Sequence, residues 1–124
     1  MTEKPLDWIA SSKEDLLALP ADVIDVFGYA LHLAQNGGKH DQAKPLKGAN
    51  DFKGGGVMEV VEDYDGDTYR AVYTVKFPDR VYVLDAFQKK STRGIATPKV
   101  DIERIKTRFK AAKADYEARN RKKK

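Results

Sequence analysis

Residues 57–87, VMEVVEDYDGDTYRAVYTVKFPDRVYVLDAF, constrain the fold more than any other stretch. TYRAVYTVKF alternates, with Tyr69, Ala71, Tyr73 and Val75 on one face and Arg70, Val72, Thr74 and Lys76 on the other, and VMEVVEDY and RVYVLDAF on either side of it also read as strands. Asp65-Gly66-Asp67 between the first two runs is a tight hairpin signal, and Phe77-Pro78-Asp79 turns the chain again. Turns this short permit only antiparallel neighbours, so an antiparallel meander is expected at the centre of the chain.

The flanks change period. Ser11 or Ser12 can cap a short helix whose first turn carries Glu14 and Asp15, favourable at the positive end of the helix dipole. Val23, Phe27, Ala30, Leu31 and Ala34 recur at helical spacing, and Gly37 supplies a stop. The two segments, joined at Leu19-Pro20, read as a helical hairpin, with LDWIA before them as a short leading strand. Residues 36–56 are rich in breakers and read as a loop bearing Lys39, Lys44, Lys47 and Lys53. Thr97-Pro98 reads as an N-cap followed by proline in the first helical position. Beyond it Ile102, Ile105, Phe109, Ala112 and Tyr116 form one apolar stripe on a basic helix. The expectation is a single α+β domain over residues 1–116, with an N-terminal helical hairpin on a small antiparallel β-sheet and a C-terminal basic amphipathic helix. Residues 117–124 are expected to be a basic tail.

Charge is distributed unevenly. Residues 1–87 carry nine Lys/Arg against fifteen Asp/Glu, whereas residues 88–124 carry fourteen against four. A cationic final third is the electrostatic footprint of a polyanion binder, because neutralising phosphates releases counterions. The absence of cysteine excludes disulfides, thiolate metal sites and a cysteine nucleophile. No run is long enough to span a membrane and the first residues lack a signal-peptide pattern, so a cytoplasmic location is expected.

Several candidate sites fail on spacing. Asp63, Asp65 and Asp67 resemble the start of a calcium loop, but Thr68 stands at the glycine position and Thr74 at the closing glutamate position. Gly54-Gly55-Gly56 is not followed by the lysine and hydroxyl of a phosphate loop. His32 and His40 have no companions at ligand spacing. No metal or cofactor is expected. Arg70 is more informative, because a charge in mid-strand must be paired or must face a cleft. It could pair with Glu59 or Asp85 across the sheet, or join Lys89 and Lys90 around one phosphate.

The stretches GGGVMEVVEDYDGDTYRAVYTVKF and VYVLDAFQKKSTRGIATPKVDIERIKTR resemble the phage-derived HigB-like branch of the RelE/ParE toxin superfamily. The resemblance covers roughly residues 43–116. It implies a toxin of a type II toxin–antitoxin pair that cuts mRNA on the ribosome without a metal, through attack of a 2′-OH on the adjacent phosphate. The implied partners are the ribosome, mRNA and a cognate helix-turn-helix, HigA-like antitoxin, with no membrane. Arg70, Lys89 and Lys90 match the catalytic cations of the family. Asp85, where this branch often has histidine, is expected to pair with Arg70 or to act as a base. Val61 stands where many relatives have arginine. Lys44, Lys47, Arg93 and Lys99 are expected to bind RNA. A gyrase-binding toxin of the ParE type and a nucleic-acid-binding module without catalysis are the alternatives. ParE-like members lack the cations, so the Lys89-Lys90 pair favours the ribonuclease.

Overall fold

A computed structural model describes residues 3–54, 56–89 and 97–122, so Lys90 and Arg93 lie outside the described residues. The elements run β1 (Leu6–Trp8), α1 (Ser12–Leu17), α2 (Ala21–Gln35), β2 (Ala43–Pro45), a 3-10 turn (Asn50–Phe52), β3 (Val57–Tyr64), β4 (Asp67–Thr74), β5 (Val81–Lys89) and α3 (Lys99–Lys122). The α+β class and the C-terminal helix agree with expectation; the sheet differs. It has five strands in the order β1-β5-β4-β3-β2, and β1 runs parallel to β5, so it is mixed rather than purely antiparallel. The central meander β3-β4-β5 is antiparallel, as the alternation and turns required. Asp65 and Gly66 both have positive φ, at 51° and 84°, the backbone of a type I′ hairpin turn.

The sheet separates two cores. Tyr69, Ala71 and Tyr73 of β4, with Met58 and Val60 of β3, face Leu16 of α1 and Val23, Phe27 and Ala30 of α2. On the other face Val72, Tyr82 and Leu84 meet Ile102, Ile105, Phe109 and Ala112 of α3. The apolar stripe read from the sequence is therefore the face that packs on the sheet, with Tyr116 at its partly buried end. The helical hairpin does not emerge clearly. At six residues α1 is less than two turns long, and it lies mainly on β5, whereas the 15-residue α2 lies on β3 and β4. Each helix satisfies its apolar face against the sheet rather than against the other.

Two features arise inside segments read as featureless. β2 and the 3-10 turn form within 36–56, and β2 pairs antiparallel with β3 so that Lys44 stands opposite Glu59. At the other end α3 continues to Lys122, with Arg119 bonded to Asp115 at 2.7 Å and 3.7 Å from Asp7. Among the described residues no helix is long and apolar enough to cross a membrane.

Candidate functional site

Strand pairing assembles the site. Arg70 stands opposite Val61 on β3 and opposite Phe87 on β5, which makes Glu59 and Lys89 its diagonal neighbours on the two sides. Diagonal cross-strand residues lie about 7–8 Å apart, within reach of long side chains. Lys44, Glu59, Arg70 and Lys89 all occupy the sheet face covered by α3, toward the end where that helix begins.

The arrangement is tight. Arg70 is 2% exposed, Glu59 5% and Lys89 6%. The Arg70 guanidinium donates through its Nη1 to the Oε1 of Glu59 in a buried ion pair. Thr97 adds a hydroxyl to both, accepting from Arg70 Nη1 at 3.2 Å and donating to Glu59 Oε1 at 3.3 Å. Thr97 therefore serves this cluster. The first helical hydrogen bonds of α3 run from Asp101 and Ile102 to the carbonyl of Pro98, so the cap is Pro98 rather than Thr97.

Lys89 has a lowered pKa. Burial is the main cause, the neighbouring Arg70 charge adds to it, Glu59 opposes it, and Lys44 lowers it slightly further. These opposing influences give a direct check. In 13C-lysine NMR titrations Lys89 should lose its proton at lower pH than an ordinary lysine side chain. Arg70→Gln and Lys44→Met should each move its midpoint up, and Glu59→Gln should move it down. A midpoint that stays put in all of these variants would place Lys89 outside the cluster.

Asp85 does not join these cations in the way expected. The β4–β5 register runs from Val72 opposite Asp85 to Tyr73 opposite Val83, which leaves Leu84 as an extra residue in a bulge. A bulge re-aims the side chains beside it. Leu84 enters the core under α3, and the Asp85 carboxylate is claimed by that helix. It accepts from Arg104 Nε at 2.6 Å, from Arg108 Nη1 at 3.3 Å and from the Ala86 N–H at 2.9 Å. Arg108 also donates to the carbonyl of Leu84 at 2.9 Å, and Arg104 lies over the Phe87 ring. Burial raises the Asp85 pKa, while the two guanidiniums and the Ala86 N–H pull it back. The expected Asp85–Arg70 pair is thus replaced by Glu59–Arg70 and by Asp85–Arg104–Arg108. Asp85 ties α3 to the sheet, and the composite signal for this was Arg104 and Arg108 one turn apart on the helix beyond it.

The remaining expected contacts are surface lysines. Lys44 is exposed and opposite Glu59. Lys47 is exposed beside Gly48, which packs on Ile102 of α3. Lys99 is exposed in the first residue of α3, two residues beyond Thr97. Glu59 and Thr97 are the members that sequence reasoning did not assign to the site. The sequence offers Glu59 as a pairing partner for Arg70 and Thr97 as a cap.

The chemistry available here is that of a buried carboxylate, a guanidinium and an ammonium of lowered pKa, with exposed Lys44 opposite the carboxylate. Such a set can bind one phosphate and move protons on either side of it. Searches of curated proteins and of solved structures gave no match. The family model described as "Phage derived protein Gp49-like (DUF891)" matches residues 14–110, which include β3, β4, β5 and the first half of α3. The chain belongs to this phage-derived Gp49-like family, a family of RelE-like toxins associated with toxin–antitoxin systems.

Proposed function

We propose that the protein is the toxin of a type II toxin–antitoxin pair and a metal-independent endoribonuclease that cuts mRNA on the ribosome, held in check by a HigA-like helix-turn-helix antitoxin. The observation that carries this reading is the diagonal Glu59–Arg70–Lys89 set on one sheet face, with Thr97 bridging the first two.

The step requires the 2′-oxygen to bond to the adjacent phosphorus as the P–O5′ bond breaks, leaving a 2′,3′-cyclic phosphate and a free 5′-OH. Glu59 accepts the proton of the 2′-OH. Arg70 stabilises the charge that grows on the phosphoryl oxygens, the interaction most worth preorganising in a dry site. Lys89 delivers a proton to the departing O5′, and its lowered pKa makes it a stronger acid than an ordinary lysine. In the resting arrangement Arg70 neutralises Glu59. A phosphate that draws the guanidinium toward itself frees the carboxylate in the same movement, which couples substrate binding to activation of the base. Lys44, which is exposed, meets the strand first.

The test is primer extension on a translated message in a ribosomal reaction, with the cut ends characterised chemically. Cleavage should leave 2′,3′-cyclic phosphate and 5′-OH ends, and a 2′-O-methyl group at the cut site should abolish it. Glu59→Gln should slow single-turnover cleavage by about 10²-fold or more, the usual range for a lost general base. Cleavage that survives the 2′-O-methyl group would sink the mechanism. An arrest of DNA replication with translation intact would instead favour the ParE-type reading.

A further inference from the structure

A second set of lysines lines two hollows that share Lys53 and Gly54, and the first of them begins at Pro45, beside Lys44 of the candidate site. The loop 45–54 runs alongside α3 in the same direction: Gly48 packs on Ile102, and the Phe52 ring lies 6.1 Å from that of Phe109. Its outer side forms a shallow hollow from Pro45 to Gly54, which includes Lys47 and Lys53. Lys53 and Gly54 also line a second, more polar cleft of about 530 Å³, shared with Lys76, which follows β4, and with Lys113 of α3. Asp51 is the acidic residue on its wall. Lys113 is held over the face of Phe109, which also lines the cleft, with its Nζ 4.6 Å from the ring centroid.

Arg70 lies in β4 and Lys76 two residues beyond its end, so the six residues between them span at most about 20 Å at strand rise. A cationic path thus leads from the site through Lys44, Lys47 and Lys53 to the Lys76–Lys113 cleft. Three ammonium groups from three separate elements around one cleft repel one another, and the single Asp51 carboxylate does not balance them.

We infer that this path is a track for a single RNA strand and that the Lys53–Lys76–Lys113 cleft is a second phosphate-binding site, several nucleotides from the bond that is cut. The inference rests on the ribonuclease reading for its substrate, but the cleft is separate from the catalytic set. A flexible polyanion fits the geometry because it can follow a curved, shallow groove and give a phosphate to each cation in turn. The cleft does no chemistry; it sets the register of the strand and adds affinity.

Fluorescence anisotropy with 2′-O-methyl oligoribonucleotides, which resist 2′-OH attack, tests this on the full-length protein. One probe has about four nucleotides and spans the site alone; the other has about twelve and reaches the cleft. Lys53→Gln, Lys76→Gln and Lys113→Gln together should weaken the longer probe at least about tenfold and leave the shorter within about twofold. The slope of log affinity against log salt should fall by about 2, from three lost phosphate contacts. Asp51→Asn should tighten the longer probe, a gain that misfolding cannot mimic. Unchanged affinity and slope in the folded triple variant would overturn the track. If Arg70→Gln with Lys89→Gln then still weakens both probes, the site reading stands without the track; if it weakens neither, both readings fall. Displacement of the longer probe by polyglutamate at equal charge would mark the cleft as a surface for an acidic protein and overturn the RNA assignment.

Discussion

Expression of the wild-type chain on its own should halt translation if it is the proposed ribonuclease, and Arg70→Ala should relieve the arrest. Removing one preorganised donor from a charge-stabilising site costs about 10²–10³ in rate. Arg70 has a second task, neutralising buried Glu59, so the alanine variant also leaves a carboxylate stranded in the core. Rate and fold therefore have to be separated. Arg70→Lys keeps a cation for Glu59 but loses the planar fork that grips both a carboxylate and a phosphate. Its thermal midpoint should stay within a few degrees of wild type, while cleavage still falls about tenfold or more. Lys89→Ala together with Lys90→Ala should remove both the acid and the adjacent charge and relieve toxicity as fully. Folded variants that remain as toxic as wild type would end the catalytic assignment. The measurements are growth after induction, primer extension on a reporter message, and a melting curve for each purified variant.

The features that could be read from the chain were those with a strong local cause. The meander follows from a period of two interrupted by Asp65-Gly66, whose backbone requirement few residue pairs meet. The packed face of α3 follows from Ile102, Ile105, Phe109 and Ala112 at three- and four-residue spacing. The edge strands were harder. β1 and β2 are three residues each, too short for a period to be counted, and their existence depends on partners distant in sequence. Nothing local to Leu6–Trp8 specifies that it lies parallel to β5. The short α1 was visible as a helix, but its choice of the sheet over α2 was not.

The same division holds at the site. Arg70 and Lys89 were identifiable because charge at those strand positions demands an explanation. Whether Glu59 or Asp85 answered Arg70 depended on register, and register depended on a single extra residue. Without the bulge at Leu84, β5 would keep strict alternation through Asp85, and its side chain would take the opposite face from Leu84. A bulge within an alternating apolar run leaves little trace in sequence. Glu59 is legible in the sequence as a candidate counterion of Arg70, and the structure makes that pair.

The reassignment of Asp85 leads to the second large effect, which is on stability. Asp85 is 1% exposed and is the acceptor for two arginines of α3, so Asp85→Ala removes the charge that holds that helix to β5. Breaking a buried ion pair from one side costs about 3–5 kcal/mol when the partner stays buried. Arg104 is about one-third exposed and keeps Asp101 at 2.7 Å, while Arg108 keeps Asp15 at 3.6 Å. Both guanidiniums can therefore be partly resolvated, and about 2–3 kcal/mol is the better expectation. For a domain of this size that is a fall of about 10 °C in melting temperature. Asp85→Asn keeps the side-chain volume and one acceptor oxygen but loses the charge, and should fall between wild type and alanine. Neither variant should change single-turnover cleavage by more than about twofold at a temperature where it remains folded, because the carboxylate is held by Arg104 and Arg108 of α3. A variant that melts like wild type but has lost its cleavage would return Asp85 to the catalytic set. Arg104→Ala with Arg108→Ala supplies the complement: these changes strand the carboxylate, so the combined loss in stability should be at least as large as that of Asp85→Ala. Adding Asp85→Ala to that pair should cost almost nothing further, the non-additivity expected when three residues act as one joint.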